Sequence, residues 1–400
     1  MSKSNETTPN VPTLRFKSFE QEWEYSTIGK CSISLEYGMN AAAKTYDGKH
    51  KYIRITDINE ETSAFDPNPL SSPDGEYEEK YLVKENDILF ARTGASVGKS
   101  YLYDTKDGEL YFAGFLIRAR IKHIYNGAFV YYQTKSKKYE KWVKLTSMRS
   151  GQPGINSQEY SSYTIGMTSR TEQDKIADFL LSLDRKIAVQ NKIIEDLKVL
   201  KKELCNRHFK SVHDDTSLEY ISLKNILTER KEYCSKDGTY IHGTLSKEGV
   251  SPKTERYDRD FLVKSEDKQY KVTHYNDICY NPANLKFGVI CRNTYGDLIF
   301  SPIYVTFEIS NTVYPAYIEL FLTNANFIGR IRRYEQGTVY ERMSVSAEDF
   351  LSYETRMPEY DEQVKFADKI QRIQEKIDLE TSFLGSLQQQ RKYLLNAMFI

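Results

Sequence analysis

The residues that could bind a nucleotide phosphate lie in the segment Gly94–Ser100, which reads Gly-Ala-Ser-Val-Gly-Lys-Ser. A phosphate-binding loop of this type needs four residues between its two glycines, because successive backbone amides must wrap around one phosphate, and a helix must follow it. Here three residues separate Gly94 from Gly98, and Tyr101–Tyr103 is typical of a strand. We therefore predict a turn between two strands, not a nucleotide site.

Two other motifs have residue types found in DNA-modifying enzymes. Pro73-Asp74 followed by Glu78-Glu79-Lys80 contains the acids and the lysine of a nuclease metal site, but the turn between them is too short to place them on adjacent strands. Asn281–Asn284 is close to the Asn-Pro-Pro-Tyr of adenine methylases, but it lacks the second proline and the aromatic residue. The six histidines show no spacing typical of metal ligands. We predict no catalytic site and no metal site in this chain.

A basic segment with interleaved aromatic residues favours nucleic-acid binding. Between Ile117 and Arg149 there are nine Lys or Arg residues against one acid, Glu140. Lys and Arg pair with phosphates and release counterions, and Arg also hydrogen-bonds to guanine edges. The alternative is a solvated helix face. From this segment and its flanking loops the candidate DNA-contacting residues are Arg92, Thr93, Ser96, Lys99, Lys135, Lys137, Lys138, Arg149, Ser150 and Gln152.

The chain contains an internal repeat with an offset of 190 residues. From Glu172 to Phe209, 12 of 38 residues are identical to those at 362–399, without a gap. Asn86-Asp87-Ile88 likewise falls on Asn276-Asp277-Ile278, whereas the match is lost upstream of residue 80. Each copy therefore joins a divergent segment to a well-kept one. The second copy supplies a further set of candidate DNA-contacting residues, namely Asn284, Lys286, Arg332, Arg333 and Gln336.

The well-kept segments are predicted to be long helices. Ile176, Leu180, Leu183 and Ile187 begin an apolar stripe at steps of three and four residues, and the second copy repeats it. At ~1.5 Å per residue each helix would be ~57 Å long, too long for its own domain to bury. Such a stripe is typical of helix packing. The other copy's helix is the natural partner, because two copies of one unit tend to pack about a pseudo-two-fold axis.

The divergent segments are predicted to be of the α+β class. Strand-like runs include Lys51–Thr56, Asp87–Ala91 and Phe115–Ile121, with counterparts in the second copy. One helix is predicted in each segment, over about 128–144 with Asn126 as its N-cap, and over about 315–332.

Composition excludes several classes of protein. The 56 basic residues balance 56 acids, which argues against a histone-like chain and against a disordered acidic one. The most apolar region, between residues 299 and 331, is interrupted by charged residues and proline, so we predict no membrane span. Five cysteines without Cys-x-x-Cys spacing argue against a disulfide framework and fit a reducing cytoplasm.

Taken together, these residues resemble the DNA-specificity subunits of type I restriction-modification systems. The likeness covers nearly the whole chain. Pro12–Trp23 is similar to that family's leader, and Gly94–Gly98 and Ser150–Asn156 are similar to its first-domain turn and loop. The most specific part is Arg170–Ile187, repeated at Asp361–Ile377.

The resemblance implies two target recognition domains joined by two long antiparallel spacer helices. It also implies that this chain is not catalytic, binds double-stranded DNA and assembles with two methylase subunits and with restriction subunits. S-adenosylmethionine, ATP and Mg²⁺ are then expected on those partners and not on this chain. Because the readers have diverged and the helices have not, we expect a target of two unlike half-sites. The implied domains are a leader (1–20), reader 1 (21–168), spacer 1 (169–210), reader 2 (211–358) and spacer 2 (359–400).

Two other functions stay open at this stage. One is a stand-alone nuclease or methylase, which would act on DNA unaided. The other is a coiled-coil adaptor between proteins, which would show no salt-dependent affinity for any duplex.

Overall fold

The computed structural model describes residues 10–149, 151–235, 239–247, 249–253, 269–335 and 344–400. The chain divides into two compact units. Unit 1 consists of the described residues up to Asn191 together with Ser382–Ile400, and unit 2 consists of those within Lys192–Thr381. Both long helices cross from one unit into the other in sequence, so each unit contains part of each helix.

Unit 1 combines short strands with helices. Its strands are β1 (Glu24–Thr27), β2 (Ser32–Tyr37), β3 (Ala42–Thr45), β4 (Lys51–Ile53), β5 (Ser71–Asp74), β6 (Asp87–Ala91), β7 (Ser100–Leu102), β8 (Leu110–Phe112), β9 (Leu116–Ile121) and β10 (Thr164–Met167). Its helices are α1 (Ile28–Cys31), α2 (Gly127–Gln133), α3 (Lys137–Thr146), α4 (Ser157–Ser162) and the start of α5 (Arg170–Asp214).

The central sheet of unit 1 has the strand order β2-β9-β6-β7 and is covered on both faces. Along β6, Ile88 and Phe90 face the core that contains α2 and α5, whereas Leu89 and Ala91 face a second core beneath β4 and β8. Because successive side chains of a strand point to opposite faces, a strand buried on both sides is apolar throughout. This explains the uninterrupted apolar run after Asp87.

Unit 2 repeats this plan. Its strands are β11 (Tyr220–Ser222), β12 (Leu227–Glu229), β13 (Tyr233–Cys234), β14 (Ile241–Ser246), β15 (Gly249–Pro252), β16 (Tyr270–Thr273), β17 (Ile278–Tyr280), β18 (Ile290–Arg292), β19 (Leu298–Phe300), β20 (Val305–Ile309) and β21 (Glu354–Arg356). Its helices are the end of α5, α6 (Pro315–Leu322), α7 (Ala325–Ile331), α8 (Ala347–Leu351) and the start of α9 (Tyr360–Ala397). The sheet β12-β20-β17-β18 corresponds to the central sheet of unit 1.

The strand expected at Asp87–Ala91 is confirmed, and so is its expected second-copy counterpart, which is Ile278–Tyr280. Asn126 is also confirmed as an N-cap, since its side chain accepts a hydrogen bond from Phe129 N at 3.0 Å. The prediction of one helix per divergent segment is wrong, because each is two helices, α2 and α3 or α6 and α7. The break is caused by a second cap: Ser136 accepts from Tyr139 N, and Asn324 from Asn326 N.

The long helices are confirmed, and the polar residues in their stripes have partners. In unit 1, Asp184 of α5 forms an ion pair with Arg391 of α9. In unit 2, Lys201 of α5 donates from Nζ to Gln374 of α9 at 2.7 Å. The two pairs are equivalent under the 190-residue offset. Within unit 2, His208 of α5 also stacks on Phe366 of α9, so later residues of α5 meet earlier residues of α9, which is the order of an antiparallel pair.

The repeated Glu-Gln dipeptide ties each long helix to its divergent segment. Gln173 Oε1 accepts from Asn126 N and its Nε2 donates to Thr168 O. Gln363 makes the equivalent bonds to Tyr314 N and Pro358 O. Both glutamines are buried, so their hydrogen bonds are costly to lose. Their identity in the two copies is thus explained by structure.

Candidate nucleic-acid interface

Three loops of unit 1 that are far apart in sequence form one surface beyond the end of β6. Backbone hydrogen bonds join Arg92 N to Phe115 O at 3.1 Å, Ile155 N to Arg92 O at 2.9 Å and Gly154 N to Ser147 O at 3.1 Å. We call this surface the unit 1 platform; it consists of residues 92–97, 114–115, 147–149 and 151–156. Because its backbone is hydrogen-bonded, the platform holds its side chains in fixed relative positions.

The polar side chains predicted from the platform loops are brought together. The Arg92 guanidinium lies over the Tyr37 ring, 4.8 Å from its centroid. Gln152 is exposed and packs over Gly94, whose φ of +73° is in the left-handed region; a Cβ there would lie 2.9 Å from Gln152 Nε2. Thr93 pairs with Gly154 in a β-bridge, and Arg149 forms an ion pair with Glu159 of α4.

Exposed apolar side chains surround these polar groups. Phe115 is 61% exposed, and Leu145 and Met148 at the end of α3 are exposed to a similar extent. Sequence reasoning missed all three, as it did Tyr37. A side chain of this type contacts a thymine methyl or a base face as readily as it does a protein.

Helix α3 carries the basic surface beside the platform. Lys137, Lys141 and Lys144 are exposed at helical spacing. Lys137 N donates to Asn396 Oδ1 at 3.0 Å, and Lys138 Nζ lies 5.2 Å from the Tyr25 ring centroid. Burial lowers the pKa of Lys138. The predicted Lys137 and Lys138 therefore lie at the start of α3, whereas the platform lies at its end.

Several basic residues of the predicted segment point inward. Arg118 and Arg120 flank the buried carboxylate of Asp87, so they do not contribute to an external basic face. Lys99, which precedes this segment, is paired at the surface with the exposed Glu60 at 2.8 Å. Lys135 Nζ donates to Ser63 Oγ and to Ser100 O, both at 2.9 Å. The external basic surface is consequently smaller than the charge count indicated.

The buried amine of Lys135 makes the stability of unit 1 depend on pH. Burial lowers the pKa of Lys135 to about 7, against an ordinary value of 10.5. Between these values the unfolded chain binds the proton and the folded chain does not, so the free energy of unfolding rises with pH from about 7 upward. In Lys135→Met this rise should be smaller, as measured by urea unfolding at pH 7, 8 and 9. Equal slopes in the two proteins would contradict the assignment.

Unit 2 presents different side chains at the corresponding place. Pro282 occupies the position of Arg92, and Val345 N donates to its carbonyl as Ile155 N does to Arg92 O. Of the predicted residues, Asn284 is exposed and Lys286 Nζ lies 5.3 Å from the ring centroid of Phe287. Arg332 and Arg333 are exposed on a short turn after α7. The predicted Ser150 and Gln336 lie outside the described residues.

The other motifs considered for chemistry have structural roles. Gly94–Ser96 is a single 3₁₀ turn between β6 and β7, and the neighbouring Ser96 carbonyl accepts from Lys99 N. Asp74 pairs with Lys44 at 3.8 Å and Glu78 with Lys80 at 2.7 Å, all four on the surface. Among the described residues there is no group of three or more His, Cys, Asp or Glu placed to hold a metal ion.

Residues 20–199 match the family model described as the type I restriction modification DNA specificity domain. In this segment, which is somewhat less than half of the 400 residues, the chain is similar to type I DNA specificity domains. The unit 1 platform and its basic helix α3 lie entirely within the matched residues. A comparison with curated protein sequences gave no significant match.

Solved structures extend the fold likeness beyond the matched specificity domain. The crystal structure of the S subunit of a type I restriction-modification system from M. genitalium is 16% identical, with 98% of this chain and 99% of that chain covered and a TM-score of 0.60. A chain from a structural study of complex assembly in the type I R-M system is 10% identical, with 94% and 96% covered and a TM-score of 0.56. At these identities the likeness concerns the fold alone.

Among the residues that the structure describes, no helix has the length and apolar character that a membrane span requires.

Proposed function

We propose that this chain is the DNA-specificity subunit of a type I restriction-modification complex. It reads a bipartite, asymmetric target in double-stranded DNA, with unit 1 on one half-site and unit 2 on the other. It supplies no catalytic group itself and serves as the scaffold for two methylase subunits and for the restriction subunits.

The observation that carries this proposal is the unit 1 platform inside the matched specificity domain. It places an arginine, an exposed glutamine and exposed apolar groups on a hydrogen-bonded frame, beside the lysines of α3. Gln and Arg side chains read base edges in pairs of hydrogen bonds, whereas lysines at the margin contact phosphates. A surface that combines both has the chemistry of a sequence-specific duplex reader.

The asymmetry of the target rests on the difference between the two units. The backbone hydrogen-bonding pattern is the same in both units, since Ile155 N donates to Arg92 O and Val345 N donates to Pro282 O. The side chains carried by this backbone differ between the units. A cationic position in unit 1 is an uncharged proline in unit 2. Two readers with the same frame and different side chains are suited to two unlike half-sites.

The proposed partners and cofactors are supported by the match of residues 20–199 to the specificity-domain model. We propose that the methylase subunits bring S-adenosylmethionine and the restriction subunits bring ATP and Mg²⁺. On this account the candidate DNA contacts of unit 1 are Arg92, Thr93, Ser96, Arg149 and Gln152, with Lys137 and Lys138 at the margin. Lys99 and Lys135 are left out because both amines are engaged within unit 1.

The proposal is tested by co-expressing the chain with its neighbouring methylase and mapping methylated adenines across the genome. We expect methylation at one motif made of two different half-sites with unread base pairs between them. The matched control replaces Arg92 and Gln152 by alanine, and it should lose or relax one half-site while keeping the other. Methylation that is independent of the chain would contradict the proposal.

The two rival functions make different predictions. A stand-alone nuclease or methylase would act on DNA as a purified chain, given Mg²⁺ or S-adenosylmethionine. A protein adaptor would bind no duplex, whereas a reader's log affinity should fall linearly with log salt concentration.

A further inference from the structure

An exposed apolar side chain occupies the same turn in both units. Phe115 follows β8 and precedes β9, and it is 61% exposed. Ile303 lies between β19 and β20 at an offset of 188 residues, and it is 62% exposed. The alignment is structural: Leu116 N donates to Ala113 O, and Tyr304 N donates to Ser301 O, closing the same turn.

The strand register places both residues at equivalent positions relative to the central sheet of their unit. β6 pairs with β9 so that Ala91 lies opposite Leu116, which places Arg92 opposite Phe115. β17 pairs with β20 so that Tyr280 lies opposite Val305, which places Pro282 opposite Ile303. The two apolar side chains therefore lie at equivalent positions, and in unit 1 the neighbouring position is Arg92, a base-reading candidate.

The turn in unit 1 is held firmly. Gly114 N donates to Met39 O at 2.8 Å, and Gly38 N donates to Leu116 O at 3.1 Å. A Cβ on Gly38 would lie 2.2 Å from Ala113 O, so the two backbones are in close contact. These backbone contacts thus fix the position of Phe115 and the direction of its Cα–Cβ bond, although the ring itself contributes little to the core.

Single exposed apolar residues are common on protein surfaces and need no explanation. Phe115 and Ile303 are different, because they occupy equivalent positions in the two units. One is phenylalanine and the other isoleucine, yet both are large, apolar and exposed. The surrounding positions have changed more, from arginine to proline. A shared task that tolerates different apolar shapes accounts for this pattern.

We propose that Phe115 and Ile303 are apolar base-reading residues, each placed against the methyl group of a thymine in the half-site that its unit reads. The proposal rests on the proposed function. The thymine methyl is the apolar feature of the major groove, and aromatic and aliphatic side chains contact it directly. The neighbouring polar groups, Arg92 and Gln152 in unit 1, are left to hydrogen-bond adjacent base edges.

The experiment measures duplex affinity of the full complex with its methylase subunits on the mapped target. Each thymine is replaced in turn by deoxyuridine, which lacks only the methyl group. For the unaltered complex, one replacement in each half-site should weaken binding about fourfold, the equivalent of one buried methyl. In Phe115→Ala the effect should vanish in the unit 1 half-site and persist in the other, and Ile303→Ala should do the reverse.

Ile124→Ala is the matched control, because Ile124 is 66% exposed at the opposite end of β9 from Phe115. It should retain both deoxyuridine effects. Thermal unfolding should be unchanged in all three variants, since the side chains are exposed. If the complex prefers the mapped target but Phe115→Ala keeps the deoxyuridine effect in both half-sites, the inference is wrong and the proposed function stands. A loss of affinity in Phe115→Ala without any deoxyuridine effect also overturns it. If no duplex is preferred, both are wrong.

Discussion

Replacing Asp87 by alanine is expected to lower the free energy of unfolding of unit 1 by about 3–5 kcal/mol, the usual cost of removing one partner from a buried ion pair. Asp87 is completely buried and binds Arg120 through two hydrogen bonds of 2.9 and 3.0 Å. Its carboxylate also lies 3.8 Å from Arg118, whose side chain is 1% exposed. Burial already lowers the pKa of Arg118, and without Asp87 its one remaining ion-pair partner among the described residues would be Glu36, which is about half exposed.

Unit 2 provides the matched comparison. Asp277 occupies the equivalent position and binds Arg230 through two hydrogen bonds of 2.8 and 3.0 Å. The Arg230 side chain is 18% exposed and also lies near Glu232 and Glu308. Asp277→Ala should therefore cost less, roughly 1–3 kcal/mol. Asp74→Ala, which removes an exposed pair with Lys44, should cost at most about 0.5 kcal/mol.

The two units can be followed separately. Both tryptophans of the chain, Trp23 and Trp142, belong to unit 1, so intrinsic fluorescence during urea unfolding reports that unit. Hydrogen exchange of peptides from residues 269–335 reports unit 2. Equal losses for Asp87→Ala and Asp277→Ala would show that the buried Arg118 does not set the difference.

Gln152→Ala is expected to change which sequence the complex prefers. Its amide is exposed beside Gly94 on the unit 1 platform, where it can pair with two atoms of one adenine edge. Such a pair contributes about 1–3 kcal/mol of discrimination, so preference at one base pair should fall roughly 5- to 150-fold. The measurement is competition binding against duplexes that carry each substitution in the mapped target.

Lys137→Ala should behave differently, because a lysine at the margin contacts phosphate and not bases. All duplexes should bind more weakly by a similar factor, and the slope of log affinity against log salt should decrease by about one. Gln158→Ala, which changes an exposed glutamine on α4 that is not one of the platform residues, should leave both properties unchanged. If Gln152→Ala and Lys137→Ala give the same pattern, the division between base reading and phosphate contact fails.

Many of the helices and strands could be predicted from the sequence, because the internal repeat preserves them. The long helices follow from the apolar stripe, and Asp87–Ala91 from its apolar run. The break between α2 and α3 was missed because it depends on one cap, Ser136, inside a stretch of good helix-forming residues. Local capping chemistry overrides periodicity there.

The candidate interface was harder to predict than the helices and strands. A count of charged residues does not show which side chains point outward and which point into the protein. Arg118, Arg120 and Lys135 are basic residues in the predicted segment, yet each is directed into unit 1 by a partner far away in sequence, such as Asp87 or Ser63. Phe115 was missed for the opposite reason, since an apolar residue beside a strand is ordinarily assigned to the core. The available signal was its counterpart, because Phe115 and Ile303 each lie three residues after a similar triplet, Leu110–Phe112 in the first copy and Leu298–Phe300 in the second.

The division of the chain has a consequence for how the protein is made. Unit 2 is continuous, so all of its residues have emerged from the ribosome once Thr381 is outside. Unit 1 begins first but includes Leu387, Leu394, Leu395 and Met398 in its core. It cannot complete that core until residues 382–400 have been synthesised. Although domains generally fold in the order of synthesis, in this chain the unit that is translated first is the one that finishes folding last.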